Sequence, residues 1–203
     1  MIKRILFSFV LVVPLFSFAQ TFPFDVFHEG KVVLENGDTI RGEVKYSLQD
    51  LLQVKHNNRL ESFTARKVVF FEVFDQAYKR YRQFYSLPYS PTGGYKSPVF
   101  FELLAEGKIT TLTREKIEYR TNTSPYYSYG GYSSRPVLVY IYYLLKENGN
   151  IEDFRGNKSD WYELFGNREN EMHDYVKDNK LDFDKKYELK QILDYYNSLV
   201  APK

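Results

Sequence analysis

Val33-Leu34-Glu35-Asn36-Gly37-Asp38-Thr39-Ile40-Arg41-Gly42-Glu43-Val44-Lys45-Tyr46 is the stretch whose reading decides the fold class. Asn36-Gly37 accepts the positive φ of a tight turn and sits between two β-prone runs, so residues 31–34 and 39–46 form a hairpin. In the second arm Ile40, Val44 and Tyr46 alternate with Thr39, Arg41, Glu43 and Lys45, the period of a half-buried strand. Gly42 falls on the apolar face and marks a bulge or a close backbone approach.

The same grammar runs on through the chain. A second hairpin turns at Asn57-Asn58, and residues 64–67 make a short helical turn. Residues 68–74, Val-Val-Phe-Phe-Glu-Val-Phe, are apolar on both faces and read as a central strand covered on both sides. Residues 78–85 alternate aromatics with cations and read as a more exposed strand. Residues 99–106 and 109–120 meet at Gly107-Lys108, and residues 137–145 turn at Asn148-Gly149-Asn150 into residues 151–154. The period then changes. Asn157 or Ser159 caps a short helix ended by Gly166, residues 169–179 form a second, and Asp182 or Asp184 caps a third with Leu189, Ile192, Leu193, Tyr196 and Leu199 in one stripe. The expected fold is α+β: a mostly antiparallel β-sheet or open barrel/roll over residues 24–155, followed by two or three C-terminal helices (157–200) packed on it, in one domain spanning 20–203.

Residues 1–19 have a cationic start (Lys3, Arg4), an apolar run and Ser17-Phe18-Ala19, the layout of a cleavable signal peptide. The run is shorter than the ~20 apolar residues of a spanning helix, and residues 137–145, the longest apolar run beyond it, are strand-length. The chain has 28 Lys+Arg against 26 Asp+Glu. Since Lys3 and Arg4 supply the whole excess, the expected mature protein is neutral, exported to the periplasm or beyond, and without a transmembrane segment. With no cysteine it is neither a lipoprotein, a disulfide-stapled miniprotein nor a thiol enzyme.

The hairpin quoted above, together with Asp178-Asn179-Lys180-Leu181 and Leu193-Asp194-Tyr195-Tyr196-Asn197-Ser198-Leu199, resembles a group of small exported proteins of unassigned function from Gram-negative bacteria. They share a signal peptide, an NGDTI-x-G hairpin and a C-terminal helix carrying YYN. The resemblance implies export and architecture, and carries no catalytic residues with it.

Chemistry is scarce in the sequence. His28, His56 and His173 lie in unrelated elements without metal-ligand spacing, so no metal or other cofactor is expected. Asp178, Asp182 and Asp184 fail as a calcium loop, since Lys180 takes a ligand position and Phe183 the glycine position. Glu61, Glu72, Asp75, Glu102 and Asp153 are available to a hydrolase, with nothing in the sequence to pair any two. No nucleophile elbow or phosphate cradle is present. The run Lys79-Arg80-Tyr81-Arg82 reads as a solvated strand face, and a neutral exported chain has no expected nucleic-acid partner.

Two connections stand out. Residues 87–98 and 121–135 are rich in Tyr, Ser, Gly and Pro and exceed ordinary hairpin length. In an up-and-down meander both lie at one end and share a rim. Tyr89, Tyr95, Tyr126, Tyr127, Tyr129 and Tyr132 are the candidate contact residues, since tyrosine supplies broad amphipathic area with few rotatable bonds. The sequence therefore points to a non-enzymatic binding or structural module of the cell envelope whose partner is an envelope protein or a glycan. The alternatives are a carbohydrate-binding module using these loops and a hydrolase whose carboxylates converge only in the fold.

Overall fold

A computed structural model describes residues 21–122 and 133–201. The strands are β1 (His28–Leu34), β2 (Thr39–Tyr46), β3 (Leu51–His56), β4 (Arg59–Thr64), β5 (Val68–Asp75), β6 (Arg80–Tyr89), β7 (Ser97–Ala105), β8 (Thr110–Asn122), β9 (Ser133–Leu145) and β10 (Ile151–Phe154). All pair antiparallel in one sheet of order β10-β9-β8-β7-β6-β5-β1-β2-β3-β4. Helices α1 (Lys158–Phe165), α2 (Glu169–Asp178) and α3 (Lys186–Val200) follow. The coarse α+β reading with a large antiparallel sheet is thus correct.

The turns obey their residues. Gly37 takes φ 89 in the first hairpin, and Asn57 and Asn58 take φ 48 and 59 in the second, the conformation of a two-residue hairpin turn. Gly42 does meet backbone closely: a Cβ there would stand 2.2 Å from the Lys55 carbonyl oxygen. Gly30, its register partner, is equally tight against the Glu72 carbonyl.

The sheet is strongly curled. Tyr46 on β2 and Glu115 on β8 have four strands between them, about 24 Å across a flat sheet. Their side chains are nevertheless hydrogen-bonded at 2.9 Å. One part of the concave face holds Val32, Val44, Leu52, Val54, Phe71, Val73 and Phe84. Another part is covered by the helices, with Trp161, Phe165, Met172, Leu189, Ile192 and Leu193 packed on Leu104, Ile109 and Leu144.

β7 pairs with β8 only between Glu102–Ala105 and Thr111–Thr113, with a register shift between Leu103 and Ala105. Beyond Thr113 the two strands part, and the β2–β3 turn fills the fork. Asp50, at φ 59, accepts the Phe100 N–H at 2.7 Å and pairs with Arg114 at 3.0 Å. Among the described residues β8 and β9 continue alone, paired from Arg114–Ile141 to Asn122–Ser133, a two-stranded ribbon about 30 Å long.

Several expectations are corrected. β5 is central in strand order, yet Val69 is 49% exposed, so only one of its faces is fully covered. The Tyr-rich connections are shorter than read: pairing runs to Tyr89 and resumes at Ser97, and it runs to Asn122 and resumes at Ser133. Prolines do not stop it, because Pro88 pairs with Pro98 and Pro136 with Tyr119. Asn157 caps α1 as expected, but neither Asp182 nor Asp184 caps α3, whose N-cap is Lys185. Asp182 instead accepts the Asp184 N–H in a local turn. No described helix is long and apolar enough to cross a membrane.

Candidate functional site

The period of two places Arg82 on the same side of β6 as buried Phe84, and Glu102 beside Leu104 on β7. Glu115 follows Thr113 at the same spacing on β8. Tyr46 comes from β2 across the curl, and Lys186 from the first turn of α3. These side chains meet between the two parts of the core. The Arg82, Glu102, Glu115 and Lys186 side chains are each 3–5% exposed.

Each carboxylate oxygen in this group is engaged. Arg82 donates to Glu102 through Nε (3.0 Å) and Nη2 (2.6 Å), and Nη2 also reaches Glu115 Oε1 at 2.6 Å. Lys186 Nζ donates to Glu102 Oε2 at 2.7 Å, Tyr46 Oη donates to Glu115 Oε2 at 2.9 Å, and Arg82 Nη1 donates to Tyr46 Oη at 2.8 Å. Two cations face two carboxylates, the balance that makes buried charge tolerable.

Burial pushes the Glu102 carboxyl upward, but Arg82 and Lys186 outweigh it and hold the group down at about 2. Burial raises the Tyr46 phenol well above its ordinary value, against the pull of Arg82. Burial lowers Lys186, with Glu102 opposing. A cavity of about 30 Å³ opens beside Glu102, Glu115 and Tyr46, the volume of about one water molecule.

The sequence shows Glu102 only as one carboxylate among several, and it gives Glu115, Arg82, Lys186 and Tyr46 no part in a site. The signals were present. Arg82 shares the parity of Phe84, so its reading as part of a solvated face is corrected. Lys186 stands three residues before Leu189, on the apolar stripe of α3. The other carboxylates are dispersed: Glu72 pairs with Lys31, Asp153 with Arg155, and Asp75 accepts from the Tyr187 hydroxyl. Among the described residues no group of three or more metal-ligating side chains forms. His28 bonds the Pro23 carbonyl, His56 the Arg41 carbonyl, and His173 stacks on Tyr162 at 3.6 Å.

Of the six tyrosines expected to act together, Tyr89 and Tyr95 are described. Tyr89 ends β6 and packs edge-on against Phe101 and Tyr143, at 5.4 and 5.5 Å, as part of a third apolar cluster. Burial raises its phenol. Tyr95, in the connection that follows, is 83% exposed. Tyr126, Tyr127, Tyr129 and Tyr132 lie outside the described residues.

The meander itself is as expected, and two contacts place the connection after Tyr89. Tyr89 meets Tyr143, and Lys96 bonds Asn150 at 3.3 Å in the β9–β10 turn. The 90–96 connection therefore lies beside the end of β9 opposite to Ser133. The fork between β7 and β8 is the cause, because it lets the β6–β7 hairpin fold over the far end of the ribbon strands.

No family model, curated protein or solved structure matches the chain.

Proposed function

We propose that the chain is an exported, non-enzymatic binding module of the cell envelope. The observation that carries this reading is the β8–β9 ribbon, which runs for nine residues in each strand with no third strand beside it among the described residues. At its end the sequence has Tyr126, Tyr127, Tyr129 and Tyr132 among Ser and Gly, a composition suited to adaptable contact. Tyr119 on the ribbon is itself 73% exposed. The converging carboxylates favour binding over hydrolysis: Glu102 and Glu115 spend every oxygen on internal donors, which leaves neither free to act as base or nucleophile. Export rests on residues 1–19 and on the resemblance to small exported proteins.

The test is retention of the chain from residue 20 onward on its own envelope fraction, with crosslinking and a parallel polysaccharide column. Replacing Tyr126, Tyr127, Tyr129 and Tyr132 by serine abolishes retention while leaving the melting temperature unchanged. Retention on the polysaccharide selects the glycan reading over an envelope protein. Undiminished retention by the serine variant refutes the assignment to these tyrosines.

A further inference from the structure

Arg120 and Arg135 stand directly opposite each other in the pairing register of the β8–β9 ribbon, and so on one face of it. Both are exposed. Opposed side chains in an antiparallel ladder start only about 5 Å apart at Cβ, where like charges destabilise the pair. Cations and carboxylates nearly balance over the whole chain, 28 against 26. The positive charge at the ribbon end is therefore a local excess.

Among the described residues no carboxylate on the ribbon neutralises this pair. The sequence has no Asp or Glu from residue 119 to residue 146. Nearer the sheet, Glu115 is buried against Arg82, and Glu118 pairs with Lys116 at 3.3 Å. Glu118 shares the arginines' face, one register pair away and opposite Val137. Lys116 holds its carboxylate from the side away from Arg120.

We infer, resting on the binding reading above, that Arg120 and Arg135 together bind a phosphate monoester carried by a glycan of the cell envelope. Two guanidinium groups at this spacing suit one anion that accepts from both. A planar carboxylate is matched by a single guanidinium fork. A phosphate monoester carries nearly two negative charges and three acceptor oxygens, enough for two forks. Glu118 beside the pair repels a continuous anionic surface such as a bilayer but leaves room for an isolated phosphate, so the carrier is a glycan.

The test is elution of the chain from residue 20 onward from phosphocellulose in a salt gradient, beside carboxymethylcellulose and plain cellulose. The wild type is expected to pass through cellulose and to elute from phosphocellulose at higher salt than from carboxymethylcellulose. Arg120→Gln/Arg135→Gln loses that retention without a lower melting temperature, since a like-charge pair has gone. Arg59→Gln/Arg66→Gln, which removes the same charge from exposed positions elsewhere, elutes as the wild type does. Glu118→Gln elutes later than Glu61→Gln, which makes the same charge change on β4. An unretained wild type, equal elution from the two charged celluloses, or equal loss in the two arginine double variants overturns the inference. Cosedimentation with phosphatidylcholine vesicles carrying phosphatidic acid, undiminished by excess glucose phosphate, overturns the glycan assignment in favour of a lipid. Retention on the envelope fraction with none on phosphocellulose defeats the phosphate site alone, and the reverse result defeats the envelope reading alone.

Discussion

Asn197 occupies the space that any side chain at position 107 would need. A Cβ on Gly107, whose φ is +147, would stand 2.6 Å from Asn197 Cγ and 2.8 Å from Asn197 Cβ. The carboxamide fills that space to clamp the β7–β8 turn. Its Oδ1 accepts the Ile109 N–H at 2.9 Å, and Nδ2 donates to the carbonyls of Glu106 and Ile109 at 3.1 and 3.0 Å. Asn197→Ala leaves the Ile109 N–H unpaired and is expected to lower stability by about 2–3 kcal/mol. Gly107→Ala is expected to cost at least as much through backbone strain and overlap. Asn197→Gly should relieve Gly107→Ala, whereas Asn197→Ala should not, since the Cβ at 2.8 Å remains. Urea denaturation of the single and double variants decides between them.

Glu102 ties stability to acid pH. Its carboxyl is held at about 2 when folded, below the ordinary value of about 4.3. A carboxyl depressed by folding stabilises fully above the unfolded value, and that contribution is lost as pH falls toward the folded one. Wild-type stability is therefore expected to drop by ~3 kcal/mol as pH falls from about 5 through the folded value to about 1. Glu102→Gln lowers stability at pH 7 by about 3–5 kcal/mol, because Arg82 and Lys186 lose the charge between them. It also flattens the acid limb. Denaturation midpoints across that pH range, compared between the two proteins, supply the check. An acid limb of unchanged depth in Glu102→Gln would assign the titration to another carboxyl.

The sequence reveals most where local chemistry decides. Asn36-Gly37, Asn57-Asn58 and Asn157 specify their turns and cap from neighbouring residues alone, and the stripe from Leu189 to Tyr196 marks the buried side of α3. It reveals least where the outcome depends on strands far apart in the sheet. Nothing local to Tyr46 or Glu115 shows that curling joins them, and nothing local to Phe100 shows that Asp50 will take its N–H. The same fork lets the connection after Tyr89 lie beside the β9–β10 turn, a placement that connectivity alone does not show. Arg82 is an intermediate case, since its parity with Phe84 outweighs the cationic run around it.

Asp50 keeps β7 and β8 apart. Its carboxylate substitutes for the strand partner that Phe100 lacks, and its φ of 59 suits aspartate or asparagine better than most residues. Asp50→Asn retains an acceptor for Phe100 and loses the charge facing Arg114, a pair about one-fifth exposed; the expected cost is about 1 kcal/mol or less. Asp50→Ala loses both bonds and the left-handed tolerance, at about 2–3 kcal/mol. Amide exchange gives the local readout: Phe100 protection should fall sharply in the alanine variant and little in the asparagine variant. Equal loss in both would mean that the ion pair with Arg114, rather than the hydrogen bond, holds the fork.

Gly30 and Gly42 leave no room for a side chain beside the neighbouring strands. They face each other across β1 and β2, and a Cβ on either would lie 2.2 Å from a carbonyl oxygen, of Glu72 and Lys55 respectively. Both obstacles are backbone, so no side-chain rotation relieves them. Gly42→Ala must therefore push β3 away from β2, beside the register pairs Glu43–Lys55 and Val44–Val54. The expected loss is about 2–4 kcal/mol. Because Tyr46 lies on the same strand as Gly42 and bonds Glu115, the same substitution should also loosen the buried ionic group at a distance. A smaller acid-limb drop in Gly42→Ala than in the wild type, alongside its lower stability, is the expected signature. A destabilised variant with the full acid-limb drop would show that the glycine contact and the ionic group act independently.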